Sequence, residues 1–480
     1  MNRVVVVSNR LPTLDSTRAA DLPVGGLASA VFGALRRSPG SLWFGWSGKV
    51  ERQASDRLIE RELHQVRLIG ASLSHSDVES YYHGFCNAAL WPLLHCFPGK
   101  IVLSLQQERH YHRMQQRFAR LLMPLLEPGD FVWVHDYHLM PLGRALRQLG
   151  WRGRLGFFLH VPVPPFDLWR ILPDPSDMLS ALLDYDQVGF HVRGFRDNYI
   201  DCCVRELGAR VHADVIRVGG RMQRVGHYPV GIDPEPFLAT ADGGRELEHP
   251  LCHVVRGRRL ILGVDRLDYT KGIPERLIAF EDLIRRYPRW RKLVSLVQIA
   301  SPSRTQVRSY VQQKRTLDAL VGRINGQLAE HDWVPIRYLY RSYPRDVLAR
   351  FYRDAHVGLV TPLRDGMNLV AKEFIAAQSA DDPGVLVLSR FAGAAEELQE
   401  ALMVNPYVVS DIADGIARAL EMSLRERRKR HAALLARVLR HNADEWAGRF
   451  LDDLARNAAW PGRVASGSVR MLPRGRQHSS

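Results

Sequence analysis

The chain has 480 residues, 46% hydrophobic and 24% charged, a globular composition with enough length for two or three cores. It holds no apolar run near the ~18 residues that mark a membrane helix, so no span is expected. Its formal charge of +15 admits either nucleic acid or small phosphorylated ligands.

The first segment, MNRVVVVSNR, passes straight from an apolar run to Ser8, Asn9 and Arg10. It lacks signal-peptide anatomy and reads as a buried first strand. Further apolar runs follow at 42–46 (LWFGW), 131–135 (FVWVH), 155–160 (LGFFLH) and 187–192 (QVGFHV). Helical patterns lie between them, for example at 26–37 and 139–150. The second half repeats the plan. Strands are predicted at 260–264, 293–300, 336–340, 356–361 and 385–389, with helices at about 275–287, 346–355, 368–379 and 411–424. Unbroken apolar strands alternating with amphipathic helices imply parallel sheets covered on both faces. The expected fold class is α/β, with two doubly wound Rossmann-like domains facing each other across a cleft.

The Pro-, Gly- and charge-rich stretch at 235–258 sets the expected domains at 1–240 and 241–430. A final helix, about 430–457, carries Leu434, Leu435, Val438, Leu439, Trp446, Phe450 and Leu454, and the segment 431–458 is expected to pack back on the first domain. The basic tail from 459 on is expected to be disordered. The cluster SLRERRKRH (423–431) comes with no nucleic-acid motif and reads as a solvated helix face. Five cysteines without a C-x-x-C pair fit a reducing, cytoplasmic setting.

Ligands of open α/β sheets bind at the carboxyl ends of the strands, so the residues ending each strand matter most. The first strand delivers Arg10, with the pair Gly25-Gly26 at a helix start beyond it. FVWVH runs into Asp136-Tyr137-His138, read as a polar turn for sugar hydroxyls rather than a metal site, because no third ligand motif accompanies it. LGFFLH ends at His160 before a proline-rich loop. In the second half, DRLDYTKG brings Arg266 and Lys271 to one strand end, SPSR brings Arg304, and TPLRDGMNLVAKE brings Arg364, Asp365, Lys372 and Glu373. Cations at four strand ends point to an anionic substrate with more than one phosphate. No phosphate loop of the G-x-x-x-x-G-K-[ST] type, no G-x-G-x-x-G after the first strand and no G-x-S-x-G elbow occurs, which argues against an ATPase, a dinucleotide dehydrogenase and an α/β-hydrolase.

The blocks VVVVSNR, WFGWSG, YYHGFCNAALWPLLH, VWVHDYHLMPL, GFFLHVPVPP, DRLDYTKGIPERL, QIASPSR and VGLVTPLRDGMNLVAKEF together resemble the trehalose-6-phosphate synthase family, retaining glycosyltransferases of family 20 with the GT-B fold. The resemblance covers about residues 1–458. It implies transfer of glucose from a nucleoside-diphosphate glucose, typically UDP-glucose, to glucose 6-phosphate, with no metal or other cofactor. It implies an acceptor site of Arg10, Tyr82, Trp91, Asp136 and Arg304. It implies a donor site of Gly25, Gly26, His160, Arg266, Lys271, Tyr343, Asp365, Gly366, Met367, Asn368, Leu369, Val370, Ala371, Lys372 and Glu373. Asp136, His160, Arg266, Lys271 and Asp365 would act on the reaction. The neighbours of Lys372 on the helix admit a second place for its side chain, in solvent. A dimer or tetramer is expected, without nucleic-acid or membrane partners. The alternatives are another phosphorylated acceptor such as glycerol 3-phosphate, or a GDP- or ADP-glucose donor.

Overall fold

The computed structural model describes residues 3–12, 26–36, 38, 40–241, 250 and 257–456. Among them the strands form two sheets. The first holds ten strands: β1 (Val4–Arg10), β2 (Leu42–Glu51), β3 (Ile59–Leu63), β4 (Val66–Ser74), β5 (Phe131–His135), β6 (Arg154–Phe158), β7 (Gln187–Phe190), β8 (Arg210–His212), β9 (Val215–Val218) and β10 (Arg221–His227). Their spatial order is β3-β4-β2-β1-β5-β6-β7-β10-β9-β8. From β4 to β10 every neighbouring pair is parallel. The second sheet has β11 (Arg259–Arg266), β12 (Val294–Ser301), β13 (Ile336–Leu339), β14 (Val357–Val360), β15 (Val385–Ser389) and β16 (Leu402–Val404), in the order β13-β12-β11-β14-β15-β16. All its pairs are parallel.

These strands form where the sequence places β-branched runs that must lose water on both faces. Val4 to Val7, Val132 to Val134 and Val357 to Val360 are all buried. Within the parallel run of each sheet the strand order reverses once, between β1 and β5 and between β11 and β14. Such switch points open a crevice at the strand ends. The residues that leave these four strands are Arg10, Asp136, Arg266 and the segment after Val360.

Two features were not legible beforehand. Val78–Leu90 is a thirteen-residue π-helix, a wider winding that is rare beyond single turns and concentrates at functional sites. It leads directly into Trp91–Leu94. The final helix, expected as one piece, is two: Leu424–Arg440 and Ala443–Arg456. The Asn442 side chain accepts the Glu445 N–H at 2.9 Å, and Ala443 N–H donates to the Ile232 carbonyl at 3.1 Å. The segment at Gly231 crosses so close to the break that a Cβ on Gly231 would lie 2.1 Å from the His441 oxygen.

Ala443–Arg456 packs on the first sheet. The Phe450 ring stacks on Trp133 at 4.8 Å, Trp446 lies 5.0 Å from Trp133, and the Phe450 carbonyl accepts from Gln187. The cluster of buried residues that includes Trp133, Trp446 and Phe450 also takes in Leu260, Leu262 and Val360 of the second sheet, so the two halves share apolar surface.

Candidate active site

The first sheet supplies an aromatic floor. Arg10 ends β1 exposed, with its guanidinium 5.2 Å from the Trp46 ring. Tyr82, on the π-helix, meets Trp46 edge-on at 5.8 Å and stacks on His138 at 5.9 Å. Trp91 is buried, and its indole N–H has no partner among the described residues. A buried donor left open in a cleft is a place for a ligand oxygen. Asp136 has φ 75°, a left-handed conformation that costs a non-glycine residue of order 1–3 kcal/mol. It accepts the backbone N–H of His160 at 3.3 Å. Burial pushes its carboxyl up to about 6, against backbone hydrogen bonds and the cations Arg266 and Arg304, which pull it down.

The second sheet reaches over this floor. The Arg304 guanidinium lies 3.9 Å from the Trp91 ring and that of Arg266 5.9 Å from it. Arg304 also donates to Asp268 at 3.0 Å and to the Tyr137 hydroxyl at 3.1 Å, the latter a bond between the two halves of the chain. Asp268 is fully buried; burial pushes its carboxyl up, but Arg304 and Lys271 prevail and hold it below the usual range. Its second oxygen accepts the Thr270 N–H, and its carbonyl accepts that of Lys271. One side chain thus fixes Arg304 and shapes the turn that carries Lys271. In the fold Asp268 reaches outside that turn to Arg304, and Asp265 pairs with the buried Arg276 at 2.7 Å.

Lys271 forms an ion pair with Asp365, whose same oxygen accepts the Asn368 amide at 3.0 Å. The other Asp365 oxygen accepts the Gly366 N–H. Burial raises the Asp365 carboxyl and Lys271 outweighs it, so the group sits below the ordinary carboxylate range. Gly366 touches the first half: a Cβ there would lie 2.0 Å from the His160 oxygen. Only glycine allows that approach. Asn368, at φ 71°, starts the helix Leu369–Ala377 and gives it no side-chain cap; its carbonyl accepts the Ala371 N–H at 3.3 Å, and the amides of Leu369 and Val370 begin a helix end that favours an anion. His160 donates or accepts one ring hydrogen bond with His135 at 2.9 Å.

Glu373 is half-buried, accepts the Tyr352 hydroxyl at 3.1 Å and is raised by burial. Tyr343 lies edge-on to Phe351 at 5.5 Å, and the Arg341 guanidinium sits over its ring. Met367 and Ala371 are buried, and Leu369 and Val370 are half-buried at the helix start. Gly26 opens the helix Gly26–Arg36; Gly25 lies outside the described residues.

Lys372 departs from the sequence reading. Its side chain points neither to solvent nor to the donor segment. It is 1% exposed and donates to Glu397 at 2.6 Å and to the Val230 carbonyl at 2.8 Å. Glu397 in turn pairs with His441. The helix buries this face, so only the Lys372 backbone is left for a ligand. Sequence reasoning missed Asp268, Tyr137 and His135 as partners of the charged groups. Their signal was present as polar residues inside apolar strand ends, but their contacts are set by chain crossings more than twenty residues apart.

Comparison with known proteins places this arrangement. The profile of Glycosyltransferase family 20 matches residues 2–456. A trehalose-6-phosphate synthase of Sinorhizobium fredii is 43% identical over 458 residues, covering 95% of this chain and 98% of that one. The crystal structure of an alpha,alpha-trehalose-phosphate synthase (UDP-forming) from Burkholderia vietnamiensis superposes with a TM-score of 0.91 at 42% identity, covering 96% of this chain and 98% of that one. A Burkholderia xenovorans counterpart in complex with glucose-6-phosphate gives 0.90 at 40% identity, covering 94% of this chain and 100% of that one. With the family profile spanning nearly the whole chain and whole-length relatives this similar, the chain belongs to glycosyltransferase family 20.

Proposed function

We propose that this protein transfers glucose from UDP-glucose to glucose 6-phosphate with retention, releasing UDP and making α,α-trehalose 6-phosphate. The observation that carries the reading is the meeting of two charged subsites in one cleft. Arg304 lies on Trp91 beside Asp136, and the Lys271–Asp365 pair adjoins the His160–Gly366 crossing. Relatives named for the same reaction over the full length of the chain support it.

In this reading Arg10 and Arg304 hold the acceptor phosphate, while Tyr82 and the open Trp91 N–H meet its sugar. The donor diphosphate takes Lys271 from Asp365 and meets Arg266 and the amides that open Leu369–Ala377. Asp365 and His160 contact the donor glucose, Glu373 the ribose, and the segment at Tyr343 the base. As the bond from the anomeric carbon to the diphosphate breaks, positive charge grows on the sugar and negative charge on the leaving group. Arg266, Lys271 and the helix start stabilise the latter, each fixed donor contributing about 3 kcal/mol. The acceptor hydroxyl adds on the face the diphosphate leaves, and its proton passes to the departing phosphate. The charge on the leaving group is assigned to these side chains, with no metal needed. Domain contact at Gly366 excludes water, which limits hydrolysis. We place the reaction in the cytoplasm, in keeping with the free thiols of Cys86, Cys96, Cys202 and Cys203.

The test is nucleoside diphosphate release from UDP-, GDP- and ADP-glucose, each with glucose 6-phosphate, glucose and glycerol 3-phosphate. The greatest kcat/KM is expected for UDP-glucose with glucose 6-phosphate. No release above hydrolysis with that acceptor, for any donor, overturns the reading. Release with glycerol 3-phosphate alone assigns the site to a different acceptor.

A further inference from the structure

Arg364 is the strand-end cation that the donor site leaves unused. The Asp365 carboxylate beside it turns to Lys271. The Arg364 guanidinium instead lies 5.8 Å from the ring of Phe195, on the helix Arg193–Leu207 of the first half. Both residues line a cavity of about 470 Å³, a volume within the roughly 300–1,000 Å³ of small-molecule sites. Val192 and Gly194 join Phe195 from the first half, and Arg390, Phe391 and Met403 join Arg364 from the second. The cavity backs onto the donor segment. The Asp365 N–H donates to the Phe391 carbonyl at 3.1 Å, and a Cβ on Gly393, another lining residue, would lie 2.0 Å from the Gly366 oxygen.

The polar groups of the lining fall into two sets. Those other than the arginines are committed within the protein. The Asn198 amide donates to the Val163 carbonyl at 2.8 Å, the Gln399 amide donates to the Ala395 carbonyl at 2.6 Å, and Glu396 accepts the Arg193 N–H at 3.3 Å. The arginines are not. Arg364 is half-buried. Among the described residues no carboxylate pairs with it, and its Nε is buried without a hydrogen bond. Arg390 has a loose contact with Asp411, at 3.9 Å, and its side chain is 55% exposed, a pair of little worth. Two guanidinium groups against the single carboxylate of Glu396 leave the lining cationic. A half-buried cation without a counter-charge costs free energy that a bound anion recovers. The guanidinium plane matches phosphate oxygens two at a time.

We propose that this cavity is a second ligand site, outside the reaction cleft, for a small organic phosphate monoester with an apolar or ring-shaped body. Arg364 and Arg390 hold the phosphate. The body lies on Phe195, Phe391 and Met403, which give the cavity an apolar surface that inorganic phosphate alone would leave unfilled. Glu396 stays at the start of the helix Arg193–Leu207, where the Arg193 N–H holds it, and excludes a second anionic group from that end. The site is assembled from both halves of the chain, and its occupant lies behind the wall that carries Asp365 and Gly366. None of this depends on which sugar the cleft transfers.

Titration calorimetry on the full chain tests the site, with phenyl phosphate and inorganic phosphate as probes. Both are titrated into the wild type with UDP and glucose 6-phosphate present, and into Arg304→Ala, so that binding in the cleft is recognised by its loss. One binding event is expected to remain in both conditions, with phenyl phosphate about tenfold tighter than inorganic phosphate because part of its ring is buried. Arg364→Gln should weaken that event about tenfold, the loss of one charge-assisted contact. Arg390→Glu, at an exposed position that leaves folding intact by circular dichroism, should weaken it at least as much. No event once the cleft is filled overturns the proposal, as does an event lost in Arg304→Ala, which belongs to the cleft. An event that Arg364→Gln or Arg390→Glu leaves unchanged overturns it equally. Equal affinity for the two probes refutes the apolar body of the ligand.

Discussion

Gly366→Ala is the sharpest geometric perturbation available. The added Cβ would lie 2.0 Å from the His160 oxygen and 2.9 Å from its carbonyl carbon. Carbon and carbonyl oxygen normally approach to about 3.3 Å, so the two surfaces must part by more than ~1 Å. Neither wall can absorb this locally. The His160 oxygen belongs to the backbone leaving β6, and Gly366 is itself backed by Gly393, whose own Cβ would lie 2.0 Å from the Gly366 oxygen. The displacement therefore falls on the gap between the sheets, where Asp136 and Trp91 face Arg266 and Arg304. A shift of ~1 Å between reacting groups costs on the order of 100-fold in rate. We expect kcat/KM for UDP release to fall by about that factor. UDP-glucose hydrolysis should rise relative to transfer as water enters. The assay is coupled UDP release with and without glucose 6-phosphate. A variant with wild-type kcat/KM would show that this contact is absent from the working state.

Four further outcomes follow from the same geometry. Arg266→Ala and Lys271→Ala should each lower kcat about 100-fold, measured by UDP release at saturating substrates; an unchanged rate removes them from the leaving group. Arg304→Ala should raise the acceptor KM more than the donor KM, and Asp268→Asn should move the same constant less strongly, since Asp268 fixes Arg304; a defect confined to the donor contradicts both. Asp136→Asn should trade activity for stability. The Asp136 carboxyl is raised to about 6 in the fold, so the folded state holds its proton longer than the unfolded one. That contribution is full below pH ~4 and lost as pH rises through about 6. At pH 8 the variant should be about 3 kcal/mol more stable by denaturant unfolding, with no gain at pH 4; a pH-independent difference refutes the burial argument. Lys372→Met breaks a buried ion pair and should cost about 3–5 kcal/mol of stability, while the donor KM changes only slightly; a large KM effect without destabilisation would return Lys372 to the donor site.

Much of this was legible because strand ends carry function while strand interiors carry packing. The apolar runs located β1, β2, β5, β6, β7 and β11 to β15, since burial on both faces demands continuous Val, Ile, Leu and Phe. Arg10, Asp136, His160, Arg266, Lys271 and Asp365 stood out as polar residues following those runs. Other features had no such signal. The outer strands β3 and β8 to β10 are part-polar because one face meets water, and the buried β4 is interrupted by Gly70, Ser72 and Ser74. The π-helix has the same apolar spacing as an α-helix over so short a span. The break between the last two helices comes from the Gly231 crossing, some 200 residues away in sequence. Lys372 follows an apolar pattern that says it is on a helix, but only the fold shows that Glu397 and Val230 wait on the buried face.

The central claim is transfer with retention onto glucose 6-phosphate, and proton and phosphorus NMR of the purified product tests it most directly. With UDP-glucose and glucose 6-phosphate the account requires one new disaccharide phosphate. Its two anomeric protons must both show the small coupling of α linkages, its phosphate ester must be intact, and UDP must form in equal amount. A β-linked product, or UDP accompanied only by free glucose, would contradict it.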